Sequence, residues 1–246
     1  LQISQQDGVL ILSTRDARSG EIIVTHTPSD NLNLEIKLDS SLNAAAVKIS
    51  FACGAADRFW GFGEQYNSIE FKGLEVPVWV SEQGVGRSPD PVLPFSGSLT
   101  DTYFPMPYFL NPASGKGLLL RNTEYAVFDL CQKDESSWTI EIWNGTGAEL
   151  TIFPGPDAGQ VIRQLAAEVG KPALPPDWAF SGVWLAAQGG TEAIAQRLQT
   201  ALEAGIPVSA LWVQDWVGLR EFSTGQFGVK YHWLWDQYLY PELAAT

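Results

Sequence analysis

Six residues, Lys171-Pro-Ala-Leu-Pro-Pro176, constrain this 246-residue chain more than any other stretch. Each proline fixes φ at about −65° and removes a backbone donor, so neither a helix nor a sheet interior runs through them. The texture differs on the two sides. Before them, Leu32-Asn-Leu-Glu-Ile-Lys-Leu38 alternates apolar and polar throughout, the pattern of a strand with one buried and one wet face. Val9–Leu12, Ile22–His26, Val47–Phe51, Val76–Val80, Gly117–Leu120, Ala126–Leu130, Thr139–Trp143 and Leu150–Phe153 read as further strands. Turn residues part them, at Arg18-Ser-Gly20, Asn111-Pro-Ala-Ser-Gly115, Asn144-Gly145 and Pro154-Gly-Pro156. Many short strands with such turns predict a sandwich. From Asp157 to Glu168, Val161, Ile162 and Leu165 share one helical face, and Gly170 is the stop.

After the prolines, Trp178–Leu185 reads as a buried strand that leads to Gln188-Gly-Gly190. Thr191 is the expected helix cap, and Ile194, Leu198, Ala201 and Leu202 form an apolar stripe. Gly205 closes that helix, and Ile206–Val213 is the next strand. Strand, helix and strand with short connections make the βαβ unit of a parallel sheet. The expectation is therefore an α+β multidomain chain. An N-terminal β-sandwich spans residues 1–170, and residues 171–246 hold the first strands and helix of a (β/α)8 TIM barrel. A complete barrel needs about 200 residues or more, so the barrel is expected to be truncated.

Composition removes several function classes. A net charge of −13 offers no basic footprint for nucleic acid. No apolar run approaches the length of a membrane span. Cys53 and Cys131 are the only cysteines and stand far apart, which reads most simply as a reduced, cytoplasmic chain, with one disulfide as the alternative. The only histidines, His26 and His232, are too few and too isolated for a metal site or a nucleophile–base pair. No histidine-rich metal site is expected. The ten Trp suit cores and carbohydrate platforms alike, since indole couples a large apolar face to an N–H donor.

Candidate site residues cluster where apolar runs end. Gln188 and Gln214 follow two successive parallel strands, the edge at which α/β folds bind ligands. An amide both donates and accepts, which suits sugar hydroxyls; the structural alternative is loop capping. Lys230 and Trp233 offer only donors, the right chemistry for a sulfonate, phosphate or carboxylate, and alternatively are a surface lysine near a core indole. Asp215 could accept from sugar hydroxyls or orient Arg220. Glu82 and Arg87 lie in a glycine-rich loop that could lean over a neighbouring site or form a sandwich corner.

Phe59-Trp-Gly-Phe-Gly-Glu64, Val161-Ile-Arg-Gln164 and Gly170-Lys-Pro-Ala-Leu-Pro-Pro-Asp-Trp178 resemble glycoside hydrolase family 31. Within it, Ser81-Glu-Gln-Gly-Val-Gly-Arg87, Gln188-Gly-Gly-Thr-Glu192, Trp212-Val-Gln-Asp-Trp-Val-Gly218 and Lys230-Tyr-His-Trp233 are similar to the sulfoquinovosidase subgroup. The resemblance implies a retaining α-glycosidase of α-sulfoquinovosides such as sulfoquinovosyl glycerol, with no cofactor. It implies substrate-binding roles for Gln188, Gln214, Lys230, Trp233, Asp215, Glu82 and Arg87, with Lys230 and Trp233 on the sulfonate. The familiar basic residue is often Arg, and Lys230 keeps the charge without the planar fork. Neither catalytic aspartate motif is matched, so both are expected downstream of Thr246 and the chain alone is expected to be inactive. The expected partner is a small sulfonated glycoside, with no nucleic acid or membrane, and a homo-oligomer of the full-length enzyme stays open. The alternatives are a family 31 α-glucosidase or α-xylosidase of neutral sugars, and a non-catalytic carbohydrate-binding sandwich.

Overall fold

The computed structural model describes residues 2–6, 9–14, 17–26, 31–83 and 98–243. The chain forms two compact units, Leu1–Lys171 and Pro172–Thr246.

The first unit is two antiparallel sheets. Its strands are β1 (Gln2–Gln6), β2 (Val9–Thr14), β3 (Ala17–His26), β4 (Leu32–Leu38), β5 (Val47–Ala52), β6 (Trp60–Gly63) and β7 (Glu75–Val78), then β8 (Pro105–Asn111), β9 (Lys116–Leu120), β10 (Ala126–Asp129), β11 (Ser137–Ile142) and β12 (Gly147–Pro154). The larger sheet runs β1-β2-β3-β4-β12-β9-β8-β6, and the smaller runs β5-β11-β10-β7. Alternation decides which residues meet between them. In β11, Trp138, Ile140 and Ile142 are buried while their neighbours are partly exposed. They pack with Val47 and Phe128 of their own sheet and with Ile36, Phe109, Leu118 and Leu150 of the other. Each large apolar side chain so buried contributes about 1.5–3 kcal/mol.

The larger sheet is covered on its second face too. Helix α1 (Ala158–Val169) lays Val161 and Leu165 on Tyr108, Leu110, Leu119 and Phe153. Asp157 caps it by accepting from the Gln160 N–H at 2.8 Å, and Gly170 ends it at φ 88°. Double coverage explains why Leu118, Leu119 and Leu120 of β9 form an unbroken apolar run.

Three strands of this unit escape the sequence patterns: β1, β6 and β8. In β6 the reason is local. The motif Phe59-Trp-Gly-Phe-Gly-Glu64 is a short bulged strand in which Phe59 and Phe62 are fully buried. A Cβ on Gly61 would stand 2.5 Å from the Tyr108 carbonyl oxygen, and one on Gly63 2.2 Å from that of Phe104. Both glycines therefore let β6 lie against β8, which is a packing role.

Cys53 and Cys131 are joined as a disulfide, with Cα atoms 6.5 Å apart. This is the alternative to the reduced reading.

In the second unit, β13 (Val183–Ala187) and β14 (Val208–Val213) pair in parallel, with α2 (Thr191–Glu203) between them in sequence. The residues expected to start the first strand instead form a short 3-10 turn, Asp177–Phe180. Gly190, at φ 89°, is the N-cap of α2, and Thr191 is its first helical residue. Of the expected stripe, Ile194 is buried and Leu202 is half exposed. A small antiparallel hairpin follows, β15 (Leu219–Glu221) with β16 (Phe227–Val229).

Among the described residues, no helix is long and apolar enough to cross a membrane, and no group of three His, Cys, Asp or Glu side chains could hold a metal ion.

Candidate substrate site

Successive side chains of a strand point to opposite faces. In the second unit, Ala187 and Val213 pack with Ile194 of α2, so the alternate residues face the other way. Ala186 is paired with Trp212, and the next residues in the same phase are Gln188 and Gln214. The Gln188 amide nitrogen donates to the Gln214 side-chain oxygen at 3.0 Å. Gln214 in turn donates to the Tyr231 hydroxyl at 2.9 Å. The two amides predicted at adjacent strand ends thus touch, and both are exposed.

Two clefts open on this row. One, about 350 Å³, is lined by Ala186, Ala187, Gln188, Arg197, Trp212 and Gln214. The other, about 300 Å³, is lined by Trp212, Gln214, Trp216, Tyr231 and Trp233, with Val213 and Val217. Trp212 and Gln214 belong to both. Trp216 and Trp233 lie 6.2 Å apart, tilted by 54°. Indole faces beside amide and phenol groups have the chemistry to stack on an apolar ligand face and to exchange hydrogen bonds with polar groups.

Asp215 does something else. It is fully buried, and both of its oxygens are taken within the unit. The Gly189 N–H donates to one at 2.8 Å, and the Tyr240 hydroxyl donates to the other. Tyr240 also accepts from the Gly190 N–H at 3.1 Å. Desolvation, then the hydrogen bond to Asp215, pushes the Tyr240 phenol up to about 12. Asp215 thus ties the loop after β13 to the segment around Tyr240. It does not orient Arg220, whose guanidinium lies 4.8 Å over the Phe222 ring.

The remaining predicted residues belong to other segments. Trp233 lines the second cleft, at φ 57°. Lys230 is exposed and lines neither cleft; its backbone N–H donates to the Gly218 carbonyl at 3.1 Å. Glu82 belongs to the first unit and accepts from the Tyr103 hydroxyl. Arg87 lies outside the described residues.

Sequence reasoning missed Trp212, Tyr231, Arg197 and Tyr240. Trp212 could have been found, because it stands two residues before Gln214 and so shares its face. Tyr231 and Tyr240 carry no such signal, since their placement depends on the irregular chain after Gly218.

No family model matches the sequence. Over 246 aligned residues it is 30% identical to a sulfoquinovosidase of Escherichia coli, covering 96% of this chain and 35% of that protein. It is 30% identical over 216 residues to a sulfoquinovosidase of Agrobacterium fabrum, covering 84% of this chain and 31% of that one. The chain is sulfoquinovosidase-like in sequence over most of its own length. A family 31 sulfoquinovosidase from E. rectale, solved with the aza-sugar inhibitor IFGSQ, superposes with a TM-score of 0.80 at 22% identity. That match covers 99% of this chain and 36% of the solved one. The chain therefore spans about a third of the length of the curated relatives it matches. The fold likeness accounts for a mostly β chain with few helices, as in the N-terminal sandwich of the family.

Proposed function

We propose that the protein carrying this chain is a retaining α-glycosidase that releases sulfoquinovose from α-sulfoquinovosides such as sulfoquinovosyl glycerol. Residues 171–246 are then the opening strands and helix of its catalytic barrel, after a sandwich over residues 1–170. The observation that carries this reading is the Gln188–Gln214–Tyr231 chain of hydrogen bonds beside an indole-walled cleft, in a sequence 30% identical to two sulfoquinovosidases.

Each side chain has a stated task. Gln188 and Gln214 exchange hydrogen bonds with sugar hydroxyls, and their mutual contact fixes which atoms face the ligand. Trp233 walls the cleft, and its indole N–H and the Lys230 ammonium serve the sulfonate, whose oxygens only accept. Lys230 follows from the sequence resemblance and from its place one residue before Tyr231. Glu82 and Arg87 are assigned to the substrate on the resemblance alone. Asp215 holds the loops that present Gln188 and Gln214.

Retaining hydrolysis needs two carboxyl groups about 5 Å apart, one to attack the anomeric carbon and one to protonate the leaving oxygen. Asp215, the carboxylate next to the amides, is buried and engaged at both oxygens. The site described here therefore binds sugar and leaves bond cleavage to carboxylates outside it. The deciding experiment compares hydrolysis of an aryl α-sulfoquinovoside and the matching aryl α-glucoside by the parent protein. The sulfonated substrate should be strongly preferred; equal turnover overturns the assignment. The 246-residue chain by itself should hydrolyse neither.

A further inference from the structure

Cys53 and Cys131 are the only two cysteines of the chain, and they lie 78 residues apart in sequence. Each lies just past a strand of the smaller sheet, Cys53 directly after β5 and Cys131 two residues after the end of β10. Those strands are not neighbours, because both pair with β11, which lies between them. The two chain ends are nevertheless brought to a Cα separation of 6.5 Å, within the window a disulfide bridges. Cys131 adopts φ 65°, a left-handed conformation that a side-chain-bearing residue takes only when its surroundings impose it. We infer that Cys53–Cys131 is the working state of this protein, an enforced covalent tie across β11, and that the protein carrying this chain acts in an oxidising compartment, against the cytoplasmic reading of its sequence.

The surroundings give the bond a route of formation. Cys131 is buried and Cys53 is partly exposed, and both border an open groove of about 560 Å³ with Ala55, Lys72, Gly73, Glu135 and Ser136. The Lys72 ammonium donates to the Gly54 and Ala55 carbonyls at 2.8 and 3.0 Å, in the residues just after Cys53. The oxidant is a disulfide, either of a thiol–disulfide exchange protein or of a small thiol. Cys53 thiolate attacks one of its sulfurs and releases a thiolate, leaving a mixed disulfide. Cys131, having lost its proton to solvent, then attacks the Cys53 sulfur and releases the second thiolate. Two protein thiols are oxidised and one external disulfide is reduced.

The tie also has a local task. Residues 53–58 lead into β6, and their fold is also held by Lys72 and by Asp57, which accepts from the Gly54 N–H at 2.7 Å and from the Asn111 amide at 2.9 Å. Anchoring Cys53 fixes the start of that loop, and with it the entry to the Phe59-Trp-Gly-Phe-Gly-Glu64 strand. None of this depends on which sugar the protein binds.

The test traps thiols in intact cells of the source organism with a permeant maleimide before lysis, then weighs peptides of the parent protein digested without reductant. The expected result is one linked peptide pair containing Cys53 and Cys131, with neither cysteine labelled; maleimide on both overturns the inference. In the purified oxidised chain, a reductant should lower the melting temperature by about 10 °C. A Cys53→Ser/Cys131→Ser variant should melt with the reduced protein and ignore reductant. If that variant instead melts with the oxidised protein, the tie has no structural role and the inference is overturned. Cys131→Ser alone, exposed to oxidised glutathione, should accumulate a mixed disulfide on Cys53; no adduct overturns the proposed route.

Discussion

The Tyr240 hydroxyl donates to Asp215 while accepting from the Gly190 backbone, so one phenol oxygen closes a buried link across 50 residues of chain. Removing it leaves an Asp215 oxygen and the Gly190 N–H without partners in a dry environment. Tyr240→Phe should destabilise the second unit by about 3 kcal/mol, read by urea unfolding. Asp215→Asn should destabilise it as well, since one amide cannot accept from both the Gly189 N–H and the Tyr240 hydroxyl. A double variant much less impaired than the sum of the singles would show that the two act as one element.

The contact between the strand-end amides makes a separable prediction. Gln214→Leu removes the acceptor of Gln188 and the donor to Tyr231 while leaving Asp215 untouched. The parent protein should keep its fold, with an unchanged melting temperature. Its kcat/KM on a sulfoquinovoside should fall by about tenfold or more, as expected when a hydrogen-bond partner of a polar ligand is lost.

Charge at Lys230 should matter only for a charged substrate. Lys230→Ala should lower kcat/KM for the sulfonated glycoside by about 2 kcal/mol in transition-state terms, because the anion loses its counter-charge. Activity on a neutral glycoside, however small, should not change. Lys230→Arg should keep most of the effect of charge with a different geometry. Equal losses on both substrates would remove Lys230 from sulfonate recognition.

Two tyrosines set the behaviour at high pH. Burial pushes the Tyr108 phenol up to about 12, and burial together with Asp215 does the same to Tyr240. A group whose pKa is raised by folding stabilises the fold below its unfolded value, about 10 for Tyr, and that stability is lost as pH rises to the folded value. The urea midpoint should therefore be insensitive to these groups at neutral pH and fall between about pH 10 and 12. Tyr108→Phe and Tyr240→Phe should each flatten that fall.

Most of the strands were legible because burial on one face writes a period of two into the sequence. The pattern also placed Gln188 and Gln214 at adjacent strand ends, since parallel strands joined through one helix bring the same ends together. It failed where a different constraint ruled. Trp60–Gly63 is dictated by backbone approach at Gly61 and Gly63, which hydrophobic periodicity does not register. The Trp178 region carries apolar residues suited to a strand, yet a proline at 176 opens a 3-10 turn there, with Trp178 and Trp184 stacked 5.8 Å apart. Asp215 looked like a ligand group because it follows a strand. The chain leaves the strand at Gln214 and enters a short 3-10 turn, Asp215–Val217, and that turn carries Asp215 from the exposed side into the interior.

The pairing of Ala186 with Trp212 has a wider meaning. In the proposed site, which groups face the ligand follows from odd and even positions along two short strands. A single residue inserted before either end, even one with a harmless side chain, would rotate a glutamine toward the helix and bring an aliphatic group out in its place. Such a chain could evolve freely in the length of its surface turns, yet within these two strands it can exchange side chains but not add or drop a position.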